Sequence, residues 1–572
     1  LKTTEETNAV ASTKDHLDVL TNKMIGIWQA VLQDRLKNYL DTTHNKIQPQ
    51  DNFFYIGGDS ILAVNLSSKI YKEMNLKVEV ADIFEYPILA DLIAHLTKSI
   101  TPKAIDIPKA SWRPYYDASP GQSRFYLLQQ LSDDSTRYNL SGTLLLEGKF
   151  DLSLFKKSLH ALMERYESLR TSFKQVNGEV KQFICGLKEV KIPMAYIDLR
   201  EEQYTLQEAI QMVQSKALPV FDLSHPSLFQ LDFYQVNEGQ YLLLVHMHHI
   251  ICDEWSLNVF MRELKKHYQQ IKKGTAKLPM PKVQYKDYAT WYKKEMQNHG
   301  AQLSHYWKEQ FKGGVPKLDL PLDHERPPYR SSTGGQFKQR LTANQLVSIE
   351  KILARADVTP YMFFTAVVTF FLHQITKQQS IIFGTPFSGR VHPDLEDQIG
   401  LFINTIVLQQ KISEQDTFSD CLQKAKKQII EAQAHQLFPF NQLVAEVDYE
   451  RETGRNPFFD VWMVYQNPEI MDQEFYELDE EIKMKPVDDE VILNRYDLKF
   501  AFIKTADQVE VIFEYSKDVF RASTGQNLFE ALFQCLNDFI EHFDEKINHY
   551  SLDVEQLKRK PTKPGLKKVA RN

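Results

Sequence analysis

Cysteine is scarce in this chain: Cys185, Cys252, Cys421 and Cys535 are the four among 572 residues. They fall in no paired spacing. That argues against a disulfide framework or a cysteine-built zinc site and suits free thiols in a reducing, cytoplasmic setting. Long apolar runs are missing too. No stretch reaches the roughly 20 residues a membrane span needs, and no secretory leader is visible, so neither a membrane nor export is indicated. A positive excess is also absent: the net charge is −7, whereas a nucleic-acid binder needs a basic face. What is present is 43% hydrophobic and 25% charged, ordinary for a globular protein. The length exceeds what one core supports, so two to four domains are expected.

The first residues (LKTTEETNAVASTK) are polar and begin without Met, as if continuing from a longer polypeptide. Leu17, Leu20, Met24, Ile27, Trp28 and Val31 then recur at helical spacing. A polar loop leads to Gly57-Gly58-Asp59-Ser60, after which Ile61, Val64, Ile70, Tyr71 and Met74 mark a second helix with Ser60 at or next to its N-cap. A helical turn at Val80–Phe84 and a helix at Ile88–Leu96, entered through Pro87, complete a small unit. Thr101–Trp112, with two prolines and no periodicity, reads as a linker. From Arg113 to Asp544 strand and helix patterns alternate, which predicts α/β or α+β layering in two lobes divided near residues 275–330. The tail Lys558–Asn572 holds seven basic residues and no acidic one, and reads as a solvated linker.

Two stretches carry chemistry. Gln240–Met247 (QYLLLVHM) is a buried-strand pattern that runs into His248-His249-Ile250-Ile251-Cys252-Asp253-Glu254-Trp255-Ser256. Strand alternation puts His246 and His248 on one face and His249 on the other. One of the two adjacent histidines can then face a cavity while its neighbour is packed. Asp253 follows on a turn that could bring its carboxylate back under the strand end. Such a pair suits general base work near neutral pH. The same residues also admit a metal site at His246, His248 and Asp253, or core histidines with satisfied nitrogens. A serine-hydrolase triad is set aside for want of a nucleophile elbow. In the second stretch, Ser60 follows two glycines at a helix start, where free N–H groups favour a phosphate. No histidine accompanies Ser60, so nothing activates it as a nucleophile, and a plain capping serine fits equally.

DNFFYIGGDSILAVNLSSKI, within a helical unit over 16–98, resembles the peptidyl or acyl carrier domain family. That resemblance implies 4′-phosphopantetheine on Ser60, attached by a phosphopantetheinyl transferase and holding acyl groups as thioesters. HHIICDEWS is similar to the HHxxxDG signature of condensation domains of nonribosomal peptide synthetases. SPGQSRFYLL, ERYESLRTSF, YKDYATW, FGTPFSGR, DQIGLFINTIVL and HQLFPFNQLV flank it in the family's order. The resemblance implies a four-helix bundle followed by a two-lobed α/β domain like chloramphenicol acetyltransferase, with linkers at 1–15, 99–112 and 546–572 and lobes over 113–275 and 276–545. His249 would be the residue implicated in condensation, with His248 positioning it. Asp253 would be a structural aspartate paired with Arg390, with Ser256 and Glu254 beside them. Arg124 and Arg170 match motif positions and read first as structural. Three residues depart from the pattern: Glu254 stands for a glycine, Tyr166 for a histidine and Gln409 for an arginine.

The implied activity is transfer of the Ser60-borne acyl group to an amine on a downstream carrier, within a synthetase for an antibiotic or siderophore. An upstream adenylation domain would load Ser60, and the chain would be a monomeric fragment of the larger enzyme. The alternatives are a silent platform presenting carrier-bound substrate to a trans-acting enzyme, an ester-forming variant and an epimerisation variant.

Overall fold

The computed structural model describes residues 19–32, 36, 47–58, 60–74, 76, 78, 80–98, 106–131, 136–216, 218–331, 333–466, 477–487, 494–505, 508–557 and 567–568. Asp59, the N-terminal linker, residues 101–105 and most of the basic tail lie outside them.

The N-terminal unit is helical: α1 over 19–32, α2 (Ser60–Met74), α3 (Val80–Glu85) and α4 (Leu89–Lys98). Met24, Trp28, Leu66, Ile70, Ile83, Leu89 and Leu92 are sealed in its core. Phe53, ahead of the two glycines, meets Trp28 edge-on at 5.1 Å, and Phe54 stacks on Phe84 at 4.8 Å. The last part of the expected linker is bound to the next domain. Ile107 is buried among Tyr285, Tyr288 and Trp291, and the Ala110 N–H donates to Asp287 at 2.8 Å.

The remainder forms two lobes. The strands of the first part are β1 (Tyr116–Asp117), β2 (Asn139–Gly148), β3 (Thr171–Val176), β4 (Glu179–Ile184), β5 (Met194–Asp198), β6 (Phe229–Asn237) and β7 (Gln240–His248). Those of the second part are β8 (Gly334–Arg340), β9 (Ser380–Phe387), β10 (Asn404–Lys411), β11 (Val461–Gln466), β12 (Glu477–Asp479), β13 (Ile482–Val487), β14 (Leu498–Thr505) and β15 (Gln508–Ser516). One six-stranded sheet has the order β12-β13-β2-β7-β6-β5, the other β10-β9-β11-β14-β15-β8, and a small sheet is β1-β4-β3. β7 lies inside the first sheet, paired on both sides, with Asn139 opposite His248 and Phe229 opposite Met247. That position explains its unbroken apolar run: Leu242, Leu243 and Met247 have no exposed surface.

The first sheet corrects the expected lobe boundary. Residues 477–487, placed by sequence in the second lobe, cross over and pair with β2, with Ile482 opposite Gly148 and Val487 opposite Thr143. Leu478, Ile482 and Met484 complete the first lobe's core. Gly148 makes the crossing possible. Its φ is +132°, and a Cβ there would lie 1.8 Å from the Glu481 carbonyl oxygen.

Helices that position the site are α5 (Pro120–Leu131), α6 (Leu152–Arg165), α7 (Glu254–Lys273), α8 (Tyr285–Gln310), α9 (Pro360–Thr376) and α10 (Phe418–Ala434). The region around 275–330, expected as a divide, contains the 26-residue α8 instead. Its first turns pack against Leu401 and Phe402, and Trp307 near its end joins the second lobe's core. All four cysteines are unpaired. Among the described residues, no single helix is long and apolar enough to cross a membrane.

Candidate active site

His248 ends β7, and the chain then turns through one 3₁₀ turn, His249–Ile251. His249 has therefore left the strand, so the simple alternation does not place its ring. The turn does. Its N–H donates to the Tyr138 carbonyl at 2.9 Å, and Phe125 of α5 stacks on the imidazole at 4.7 Å with 18° between the rings. The ring is half-buried, with Nδ1 sealed from water and in no aligned hydrogen bond. Burial first, and the nearby Arg495 charge second, push its pKa well below the ordinary histidine value, against an opposing pull from Asp253. The imidazole is thus a neutral free base at physiological pH.

His248 has no exposed surface, and its Nδ1 accepts the Ile250 N–H at 3.1 Å. Burial drives its pKa to about 3. It shapes the turn and stays neutral. His246, on the strand, is hydrogen-bonded through Nδ1 to Ser141 Oγ at 2.8 Å. With Asp253 engaged as follows, these residues do not converge on a metal position.

Asp253 caps α7. Its Oδ1 accepts the Ser256 N–H at 2.8 Å and faces Arg390 Nη2 at 3.2 Å. Its Oδ2 accepts the N–H groups of Phe402 and Ile403 at 2.9 and 3.2 Å. Four donors thus occupy both oxygens of a 2%-exposed carboxylate, which ties it to the start of α7 and to the 402–403 backbone. Ser256 Oγ donates to the Gly400 carbonyl at 2.7 Å and accepts from the Gly400 N–H at 3.0 Å and from Arg390 Nη2 at 2.7 Å. Arg390 also donates to the Leu395 and Gln398 carbonyls and lies over the Phe402 ring at 4.1 Å. Gly400 has to be glycine, because a Cβ would come 1.9 Å from the Tyr285 ring.

The site residues read from sequence thus come together, with Ser60 apart in the helical unit. Glu254 is the first residue of α7, and Gln466 at the end of β11 donates to its Oε1 at 2.7 Å, a bridge between lobes. Its residue surface is exposed, while desolvation of the carboxyl raises its pKa against the Gln466 hydrogen bond. Arg124 lies over the Phe440 ring at 5.2 Å, while Arg170 donates to the Met163 and Cys185 carbonyls. Tyr166 is fully buried and its hydroxyl donates to the Asp397 carbonyl at 3.0 Å. Sequence reasoning missed Phe125, one residue beyond the named Arg124, and it missed Arg495 and Gln466, which carry no local motif.

Residues 113–560 match the condensation-domain family. The chain belongs to that family. Residues 30–96 match the phosphopantetheine attachment site, so a carrier domain precedes the condensation domain in the manner of nonribosomal peptide synthetases. Bacitracin synthase 1 of Bacillus licheniformis is 33% identical over 532 residues, covering 93% of this chain and 10% of that protein. Gramicidin S synthase 2 of Brevibacillus brevis is 29% identical over 544 residues, covering 95% and 12%. The chain therefore spans about a tenth of these relatives' length. The condensation domain shares its fold with the X-domain from teicoplanin biosynthesis in complex with OxyB, with TM-score 0.68, 22% identity, and 77% of this chain and 97% of that one covered. A four-domain nonribosomal peptide synthetase bound to AMP and glycine aligns with TM-score 0.68 at 20% identity, covering 77% and 34%.

The carrier domain takes a covalent 4′-phosphopantetheine, and the turn before α2 suits it. Gly57 has φ +105°, and a Cβ on Gly58 would lie 2.4 Å from the buried Phe53 ring. The two glycines let the turn close onto the core before α2 starts at Ser60, and the free N–H groups of a helix start would favour a phosphate attached there.

Proposed function

We propose that this chain forms an amide bond, moving an acyl group delivered by its own carrier domain to the amine of an aminoacyl group on a downstream carrier. The observation that carries this reading is the half-buried, neutral imidazole of His249, at a strand end beside the hydrogen-bonded Asp253–Arg390–Ser256 cluster. A neutral imidazole can accept a proton from an attacking amine or hydrogen-bond to it. Asp253, with both oxygens occupied by donors, fixes the turn. Catalysis would rest largely on holding tethered reactants together in a shielded passage, with His249 moving the proton.

The residues carrying these roles are His249 as base, His248, Asp253, Arg390 and Ser256 as its supports, and Ser60 as the attachment point. Bound there, phosphopantetheine supplies the thiol that holds the acyl group. The carrier would extend over 16–98, with the lobes over 113–275 and 276–545 except for the crossover at 477–487. A phosphopantetheinyl transferase, a loading adenylation domain and a downstream acceptor carrier are the partners this chemistry requires. The test is intact-mass analysis after Ser60 is acylated by a transferase and mixed with an aminoacylated carrier. Acyl mass moving to the second carrier supports the reading; loading without movement across several acceptors contradicts it.

A further inference from the structure

The carrier domain rests on the condensation domain through the C-terminal half of α2 and through α3, which packs against α10; the polar part of the contact is on α2. Lys72 Nζ pairs with Glu396 at 3.1 Å and Asp397 at 3.9 Å. Ser68 stands beside the same Glu396 carboxylate. The Tyr71 ring meets His392 edge-on at 5.2 Å, and its hydroxyl donates to Asp106 at 2.7 Å. Lys282 bridges Asp106 and Asp394 at 3.0 and 2.9 Å. This contact is not the modification end of the helix: Ser68 lies eight residues beyond Ser60, about 12 Å along the axis.

Apart from Lys282, whose ammonium lies over the Tyr71 ring at 5.7 Å, the described condensation-domain groups that the side chains of Ser68, Tyr71 and Lys72 meet fall within residues 390–400, and the other side of that segment holds the catalytic centre. Arg390 grips Asp253 and Ser256. The Glu396 carbonyl accepts the Trp255 indole N–H at 2.9 Å, so one residue faces the carrier with its side chain and the site with its backbone. The Gly400 carbonyl accepts the Asp253 N–H at 3.2 Å, and the Asp397 carbonyl accepts the Tyr166 hydroxyl.

We propose that residues 390–400 relay carrier seating to the catalytic centre: Tyr71 and Lys72 fix the outer side, and the inner side then holds Asp253, Ser256 and Trp255 in place beside His249. Tyr71 and Lys72 are positioning residues, and the carrier is an organiser of the site as well as a delivery arm. The link rests on the proposed function only for its kinetic consequence. Its structural consequence needs no reaction.

The test uses the full unmodified chain. Amide hydrogen exchange is followed at Asp253, Gly400 and Phe402, whose N–H groups bind the Gly400 carbonyl, Ser256 Oγ and Asp253 Oδ2. Lys72→Glu should speed exchange at these amides by about five-fold or more, the lower end of measured site-to-site coupling, with β14 and β15 unaffected. Lys72→Glu combined with Glu396→Lys should restore at least part of the protection. With the acyl group supplied as a small free thioester, Lys72→Glu should lower kcat at unchanged KM. Unchanged exchange at the three amides overturns the relay, whether or not small-angle scattering shows the carrier released. Altered exchange without turnover in the wild type supports the relay and contradicts the assigned reaction.

Discussion

Arg390 shows how much of this site is charge bookkeeping at the level of single side chains. Its guanidinium is buried against Asp253, and each is the other's main electrostatic compensation. Arg390→Ala leaves the Asp253 carboxylate sealed from water without its cation, a loss expected to cost about 3–5 kcal/mol. The measurement is denaturant unfolding of the condensation domain; a midpoint equal to wild type would show the pair to be unimportant. The histidines make a second prediction. Burial holds His246, His248, His267 and His373 below their ordinary pKa. As pH falls below about 6.5 the unfolded chain takes up protons that these folded imidazoles refuse. Stability is therefore complete above that pH and declines toward the folded values, by up to about 1.4 kcal/mol per pH unit for each histidine. Melting temperature should drop between pH 7 and pH 5. Because His249 is itself depressed, transfer should stay level through neutral pH and fall only below the ordinary histidine range.

Individual elements are pinned at contacts that tolerate no side chain. A Cβ on Gly400 would drive into the Tyr285 ring at the start of α8, while Gly400 also hydrogen-bonds Ser256 and Asp253. Gly400→Ala should cost about 1–3 kcal/mol through overpacking and lower transfer with it. An unchanged rate and midpoint would mean that α8 gives way freely. The same elements show what was legible beforehand. β7, α7 and the helices of the carrier could be read because their periodicity is local. The ordered motifs also brought Asp253 and Arg390, 137 residues apart, into one expectation. α8 was missed because its lysines and aromatics lie in a stretch that, read alone, resembles a boundary. The place of His249 was misread by alternation because a 3₁₀ turn ends the strand one residue earlier. Phe125, Gln466 and Arg495 act only through tertiary proximity, which no spacing encodes.

The whole molecule is tied together by crossings between its parts. β13 lies in the second half of the sequence and completes the first lobe's sheet, burying Ile482 in that core. Ile482→Ala should therefore destabilise the first lobe by about 2–5 kcal/mol. Hydrogen exchange would show it as faster opening of β2 and β7; effects confined to β8–β11 would contradict the crossover. The Glu254–Gln466 bridge and the carrier dock span other boundaries, the first between the two lobes and the second between the carrier and residues 390–400.

The most direct measurement is single-turnover transfer from the acylated Ser60 arm to an aminoacylated acceptor carrier, comparing wild type with His249→Ala at matched melting temperature. Truncation removes the Phe125 stack but keeps the backbone bond to Tyr138, so stability should fall only slightly. Loss of the base should slow transfer by about 10²–10⁴-fold. Transfer at the wild-type rate would remove His249 from the chemistry and, with it, the mechanism proposed for this chain.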